Sequence, residues 1–177
     1  MEWLESVKER ELGRLIPFQK RLFEGIRPLL EKVLPERLGE SSIIEIKNSC
    51  LNIIIHHREK GVPSFFIQFY KNKNYNHTDG IVGMGDIHGH YDDVESFSQE
   101  TQMKDIETIK TDLENYVSGY MLIKKYYDKN NKPIRFECNW YKKDGVCFMY
   151  HEVPFMGVFS QWFKKPARIE EVKATFY

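Results

Sequence analysis

The sequence predicts an α+β fold with N-terminal helices packed on a mostly antiparallel sheet, which ends in a C-terminal β-meander. In the N-terminal third, apolar residues recur at helical spacing from Trp3 to Val33. Later segments are rich in β-branched and aromatic residues and are separated by short polar turns. The 177 residues, 41% of them hydrophobic, suit one core. We therefore expect a single domain over 1–177, with helices at about 3–38 and the sheet with an inserted helix at about 42–177.

The helical region is predicted to contain breaks. Pro17 and Pro28 cannot donate the backbone hydrogen bonds that a continuous helix needs, so a break or kink is expected at each of them. Pro35 and Gly39 are then expected to end the region.

Two strand-like segments follow the helices. Ile43 to His57 has many β-branched residues and neither Pro nor Gly, which predicts a strand or a bent pair of strands. Val62 to Tyr70 places apolar residues on one face, so the two segments are expected to form an antiparallel hairpin. Lys71 to Gly80 is a predicted polar loop, and Ile81 to Met84 a short third strand.

One amphipathic helix is predicted before the meander. Its apolar stripe is formed by Met103, Ile106, Ile109, Leu113 and Val117, and Gly119 stands where the helix should stop.

The meander is predicted from three further runs. They are Tyr120 to Tyr127, Ile134 to Tyr141 and Val146 to Val153, with DKNNK and KKDG turns between them. The tail from Pro154 is expected to form a short helix before Pro166.

The charges are balanced overall but unevenly distributed. Lys plus Arg and Asp plus Glu both number 26, so no global field favours nucleic acid or an anionic membrane. Nine acids and two lysines lie between Asp86 and Glu114, whereas eleven basic and six acidic residues follow from Met121 onward. The two regions either attract each other within the fold, or the acidic one binds a basic partner.

Targeting signals and cysteine pairs are not evident. Cys50, Cys138 and Cys147 lack metal-type spacing, and we expect buried thiols rather than disulfides. The N-terminus does not resemble a secretion signal, and no apolar run has membrane-spanning length. A cytoplasmic location without a membrane partner is therefore expected.

The segment IVGMGDIHGHYDD, from Ile81 to Asp93, carries the most specific local pattern. A strand that runs into Gly-Asp-Ile-His-Gly resembles the first metal-binding motif of the calcineurin-like metallophosphoesterases. The resemblance implies Asp86 and His88 as ligands of a divalent metal such as zinc or manganese, with His90 or His151 as auxiliary groups. The family's later GDxxDRG-like and GNHE-like segments are not present in this sequence.

Two other interpretations of this segment stay open. In an extended segment, alternation would point Asp86, His88 and His90 to one side, where they could hold a single structural metal ion with help from His77 or Asp79. Alternatively, the segment is a plain loop in which glycines permit tight turns and the acids are solvated.

No complete catalytic set is visible elsewhere. The sequence lacks a GxSxG nucleophile motif, a phosphate-binding GxxxxGK[ST] loop and a GxGxxG dinucleotide loop. Aromatic residues beside lysines in the C-terminal third could stack on single-stranded nucleic acid, but the acidic stretch would repel phosphates. A nucleic-acid partner is therefore the third and weakest hypothesis.

The predicted function is that of a non-catalytic, soluble binding protein without a cofactor. Its acidic stretch suits electrostatic capture of a basic protein, with Asp92, Asp93, Glu95 and Glu100 as partner-binding residues. Immunity proteins, which are antitoxin-like inhibitors that block a toxin with an acidic surface, have this general character. The competing prediction is a metal-dependent phosphoesterase-type hydrolase that uses the GDIHGH segment.

Overall fold

The computed structural model describes residues 4, 7, 9–72, 74–142, 145, 147–152 and 165–177. The helices are α1 (Glu9–Leu12), α2 (Pro17–Leu30), a 3₁₀ helix (Pro35–Arg37) and α3 (Gln99–Ser118). The strands are β1 (Ile43–Lys47), β2 (Cys50–Ile55), β3 (Phe65–Asn72), β4 (His77–Met84), β5 (Ile87–Tyr91), β6 (Tyr120–Tyr127), β7 (Pro133–Tyr141), β8 (Cys147–Glu152) and β9 (Arg168–Ala174).

The described strands form two antiparallel sheets, which confirms a mixed α+β fold. The first sheet has the order β1-β2-β3-β4-β5, and the second has the order β8-β7-β6-β9. The prediction of a single sheet is wrong, since α3 separates two sets of strands that do not pair with each other. The C-terminal meander is present as β6-β7-β8, and β9 was not predicted. Residues 168–174 include four charged side chains, as is common in an edge strand whose outer face is wet.

The first sheet is a chain of hairpins. Ile43 to His57 is a pair of strands, as predicted, and Asn48 and Ser49 form its tight turn with positive φ values of 50° and 62°. The predicted loop from Lys71 to Gly80 is shorter than expected. β3 and β4 continue pairing as far as Asn72 and His77, and the side-chain amide of Asn72 donates to the Asp79 carboxylate at 2.8 Å.

Helix α2 joins the N-terminal region to the first sheet. The helix begins at Pro17, which confirms the predicted break there, but it runs through Pro28 to Leu30 and is not broken at Pro28. The ring of Phe18 contacts that of Phe69 at 5.2 Å between centroids. Gln19 is fully buried, and its amide nitrogen donates to the Ser49 carbonyl at 3.0 Å.

Helix α3 ends within one residue of the predicted end, but it begins four residues earlier than predicted and buries a different face. Ser98 caps its first turn by accepting the Thr101 N–H, and Gly119 lies at its end. Met103 is 47% exposed, so its assignment to the apolar stripe is wrong. Gln102 is buried in its place, because its amide donates to the carbonyls of Val94 and Phe97. The other four stripe residues, Ile106, Ile109, Leu113 and Val117, are buried.

The hydrophobic core takes side chains from α2, α3 and both sheets. Tyr116 lies at its centre, fully buried, and contacts Phe65 of the first sheet and Phe176 near the C-terminal end. Cys138 is buried as predicted, whereas Cys50 is only half-buried. Among the described helices, none has the length and apolar character needed to cross a membrane. The predicted helix after Pro154 lies outside the described residues.

Candidate functional site

The GDIHGH segment forms the tip and the second strand of a β-hairpin. Met84 and Ile87 are paired across a two-residue turn, in which Gly85 has a φ of 57° and Asp86 is exposed. A glycine with positive φ at the first turn position is typical of type II′ hairpins. The plain-loop interpretation is therefore wrong from Ile87 to Tyr91, which forms β5.

His88 and His90 lie on one face of β5, as alternation predicted. Both are exposed, and their rings lie 5.0 Å apart between centroids. His88 also lies 6.3 Å from the ring of Phe66, on the face of the sheet that is turned away from the core. Asp86 lies next to them at the turn, where its carboxylate is solvated.

The remaining predicted ligands lie at the other end of the β4 strand. His77 Nε2 is 3.0 Å from the carboxylate of Asp79, which is already engaged by Asn72. His151 belongs to β8 of the second sheet. Among the residues that the structure describes, no three His, Cys, Asp or Glu side chains converge to hold a metal ion. The metal site thus stays a prediction without a supporting geometry.

The predicted partner-binding acids lie on an ordered turn and on α3. Asp93 has a positive φ of 48°, and its N–H donates to Asp79 while its carbonyl accepts the Ser96 hydroxyl. Asp92, Glu95 and Glu100 are exposed, whereas Asp93 is half-buried. These bonds hold the turn in one conformation, so the acids are presented by a fixed backbone.

Helix α3 extends this acidic character. Glu100, Glu107 and Glu114 are all exposed and are spaced by seven residues, which places them on one stripe of the helix. We call this stripe, together with the exposed acids Asp92 and Glu95, the acidic surface. Glu107 is paired with Lys110 at 3.3 Å in an exposed contact, and pairs of that kind contribute little to stability.

Four of the C-terminal cations have other partners. Their ion pairs are Lys124 with Glu171, Lys125 with Glu59, Arg135 with Glu137, and Arg168 with Glu170. These four acids all lie outside the stretch from Asp86 to Glu114. The two charged regions come close to each other at Lys142 and Asp112, where burial raises the pKa of the carboxyl and the charge of the lysine opposes that rise. The four ion pairs do not neutralise the acidic surface.

A cleft of about 250 Å³ lies between the β4–β5 hairpin, α3 and the end of β7. Most of its wall is apolar, and Asp112 and Lys142 contribute charged side chains. Its lining residues are Phe65, Val82, Gly83, Met84, Ile87, His88, Gly89, Tyr91, Asp112, Trp140 and Lys142. Sequence reasoning missed this cleft because its residues come from four separate segments. In the sequence, the strongest indication of the cleft was one apolar residue, Ile87, within an otherwise polar run.

Carboxylates shape the electrostatics of the cleft. Burial, followed by the charges of Asp105 and Asp112, raises the pKa of Tyr91 to about 12. Burial also raises the pKa of Asp112, although Lys142 opposes that rise. The cleft therefore combines an apolar interior with an acid at its rim. Such a site suits an apolar side chain that has a cationic neighbour.

The described residues form a mixed α+β fold that carries an apolar cleft and a set of exposed acids. Comparisons with protein-family models, with curated proteins and with solved structures find no significant match.

Proposed function

We propose that this chain is a non-catalytic binding protein that captures a basic partner protein through its acidic surface. The observation that supports this proposal is the exposure of Asp92, Glu95, Glu100, Glu107 and Glu114 while four of the C-terminal cations pair with other acids. Clustered exposed acids attract a basic protein at long range, which raises the association rate and disfavours acidic competitors.

The apolar cleft supports a specific complex. Protein interfaces owe most of their affinity to a few buried anchors, commonly aromatic residues or Arg, and charged rims add selectivity. The apolar wall formed by Phe65, Met84 and Trp140 can receive such an anchor, and Asp112 at the rim can pair with a cation beside it. The cleft thus offers an apolar anchoring site in addition to the acidic surface.

The more specific form of the proposal is an inhibitor of the immunity or antitoxin type. An acidic surface suits the active site of an enzyme that binds a polyanion, because such a site is itself basic. Binding would then exclude the substrate. This form of the proposal predicts that the captured partner is an enzyme and that it loses activity in the complex.

The proposal is tested by affinity capture followed by direct binding measurements. In the first variant, Asp92→Asn, Glu95→Gln and Glu100→Gln are combined. In the matched control, Glu36→Gln, Glu40→Gln and Glu45→Gln remove three exposed acids that lie outside the acidic surface. We expect a basic partner whose affinity falls about tenfold or more in the first variant and about twofold or less in the control.

Salt provides an independent check, because screening weakens contacts between exposed charges. Binding of the purified partner should weaken as salt is raised, and the first variant should show a shallower dependence than the control. A partner that binds both variants and the wild type equally would overturn the role of the acidic surface.

A further inference from the structure

The edge of β5 carries backbone groups that no strand in the described part of the chain pairs with. The β5 strand is the last in the order of the first sheet. The N–H of Gly85 donates to the carbonyl of Ser64, the residue that precedes β3. Backbone groups of successive residues in a strand point to opposite sides, so every second residue of β4 bonds to β3 and the residues between them bond to β5. By this alternation, Ile87, Gly89 and Tyr91 bond to β4, and the N–H and C=O of His88 and His90 point away from the sheet.

The face of β5 next to this edge is apolar and open. Ile87 is 62% exposed although it stands on the side that lines the cleft. Gly89 lies between Ile87 and Tyr91 on the same face, and the nearest atom to a Cβ at its position is Tyr91 Cε2 at 3.9 Å. A strand placed beside β5 would therefore have room for a large side chain opposite Gly89.

We propose that β5 is a docking edge for an extended basic segment of the partner protein, a refinement that rests on the function proposed above. The segment would add one antiparallel strand to the first sheet, with backbone hydrogen bonds to His88 and His90. Its alternate side chains would lie over the cleft, and the central one, opposite Gly89, would be apolar and large.

Charge determines the choice of occupant. Asp86, in the turn before β5, and Asp92, directly after it, stand at the two ends of the strand, and both are exposed. A second copy of β5 paired around Gly89 would place Asp86 opposite Asp92 of that copy at both ends, and would bring His88 opposite His90. Like charges directly opposite each other destabilise a strand pair. A foreign strand with Lys or Arg at its first and seventh positions would meet both acids favourably.

The probe is a capped seven-residue peptide with the order lysine, valine, threonine, phenylalanine, threonine, valine, lysine. Its control has glutamate in place of both lysines. We expect the basic peptide to bind with a dissociation constant below about 1 mM, and the acidic peptide to bind at least about tenfold more weakly.

Two readouts locate the binding site. At a peptide concentration of ten dissociation constants, exchange of the His88 and His90 amide hydrogens should slow about tenfold, because only the free state exchanges. The His90→Pro variant lacks one edge N–H and should lose about tenfold in affinity. The His90→Ala variant lacks only the imidazole and should bind within about threefold of the wild type.

Each other outcome overturns a defined part of the proposal. If the basic peptide binds preferentially but leaves the two amides and the proline variant unaffected, the docking edge is wrong and the acidic-surface function stands. If the two peptides bind equally, or neither binds, the docking edge is wrong, and the acidic-surface function is decided separately by the partner affinities of the acid-removing variant and its control. If the two amides become protected as the protein concentration rises without peptide, the occupant is a second copy of this chain.

Discussion

The carboxylate of Asp79 accepts the backbone N–H of Asp93 at 3.0 Å, and so joins β4 to the turn that carries the acidic surface. The same carboxylate accepts the amide of Asn72 at 2.8 Å and lies 3.0 Å from His77 Nε2. Asp79 is buried, and Asp93 has a left-handed backbone conformation that most residues avoid. The position of the acidic turn therefore depends on one buried carboxylate.

Replacement of that carboxylate should destabilise the fold. Asp79→Asn removes the charge that these donors stabilise, so we expect a loss of about 1.5–3 kcal/mol in the free energy of unfolding. Urea denaturation measures this loss. Asp92→Asn, which changes an exposed acid in the same turn, should change stability by less than about 0.5 kcal/mol. Equal effects of the two substitutions would contradict the role of Asp79.

The effect of Asp79 should depend on pH in the acid range. The hydrogen bond from Asn72 is the main cause that holds the pKa of Asp79 below 3.8, with that from Asp93 also lowering it. The unfolded state therefore binds a proton first, and the stabilisation is complete above 3.8 and is lost as the pH falls through the folded-state pKa. The difference between wild type and Asp79→Asn should shrink in that window, as measured by urea unfolding from pH 6 down to about 2.

His57 should produce a separate pH dependence. Its Nδ1 accepts the Glu59 N–H at 2.9 Å, and its Nε2 lies 3.1 Å from the Thr175 carbonyl, so the neutral imidazole satisfies both contacts. Burial lowers its pKa below 6.5. The unfolded state takes up the proton at higher pH, so this contribution to stability is complete above 6.5 and is lost as the pH falls toward the folded-state pKa.

The measurement compares wild type with His57→Gln by urea unfolding between pH 8 and pH 5. We expect the stability of the wild type to decline more steeply below about pH 6.5 than that of the variant. His90→Gln, which removes an exposed imidazole, should follow the wild type. Parallel profiles for wild type and His57→Gln would show that burial of His57 does not disfavour its protonation.

The hydroxyl of Tyr116 should matter beyond the volume of its ring. It donates to the Pro63 carbonyl at 2.7 Å within the core. Tyr116→Phe leaves that carbonyl without this donor, and we expect a loss of about 1–3 kcal/mol in urea denaturation. Tyr116→Ala should cost about 3–5 kcal/mol because it also creates a cavity. Tyr75→Phe, at a 72% exposed position, is the control and should be close to neutral.

The hairpin that carries the docking edge should tolerate a methyl group at one glycine and not at the other. A Cβ at Gly83 would meet the carbonyl oxygen of Ile87 and lie 2.6 Å from His88 Cα, both backbone atoms of the adjacent strand. At Gly89 the nearest atom is 3.9 Å away. We expect Gly83→Ala to cost about 1–3 kcal/mol and Gly89→Ala to be within about 0.5 kcal/mol of the wild type in thermal or urea unfolding. Similar losses in both variants would contradict the close approach of β4 and β5.

Several elements were predictable from local patterns. Helix α3 was expected at Met103 to Val117 and spans Gln99–Ser118, and β6 has the predicted limits. These elements have a clear period of apolar residues and a turn or glycine at their ends. In α3 the pattern failed at Met103, because an exposed methionine and a hydrogen-bonded buried glutamine cannot be distinguished from spacing alone.

The candidate site was less predictable. The sequence singled out Asp86, His88 and His90 for metal binding, and alternation correctly placed the two histidines on one face. Because β5 lies at a sheet edge, the backbone groups of His88 and His90, rather than their imidazoles, are the groups that the docking proposal uses. The cleft depends on β7 and α3 lying beside β5, and no local pattern contains that information.

Sequence patterns alone were enough to predict the class of fold, the positions of most helices and strands, and the concentration of acids between Asp86 and Glu114. These properties follow from hydrophobic periodicity, turn residues and composition, which are local. The three-dimensional structure was needed to show that the described strands form two sheets, that β9 joins the second, and that an apolar cleft opens beside an exposed edge. Pairing of distant strands depends on contacts between residues far apart in the chain, and such contacts leave no periodic signal in the sequence.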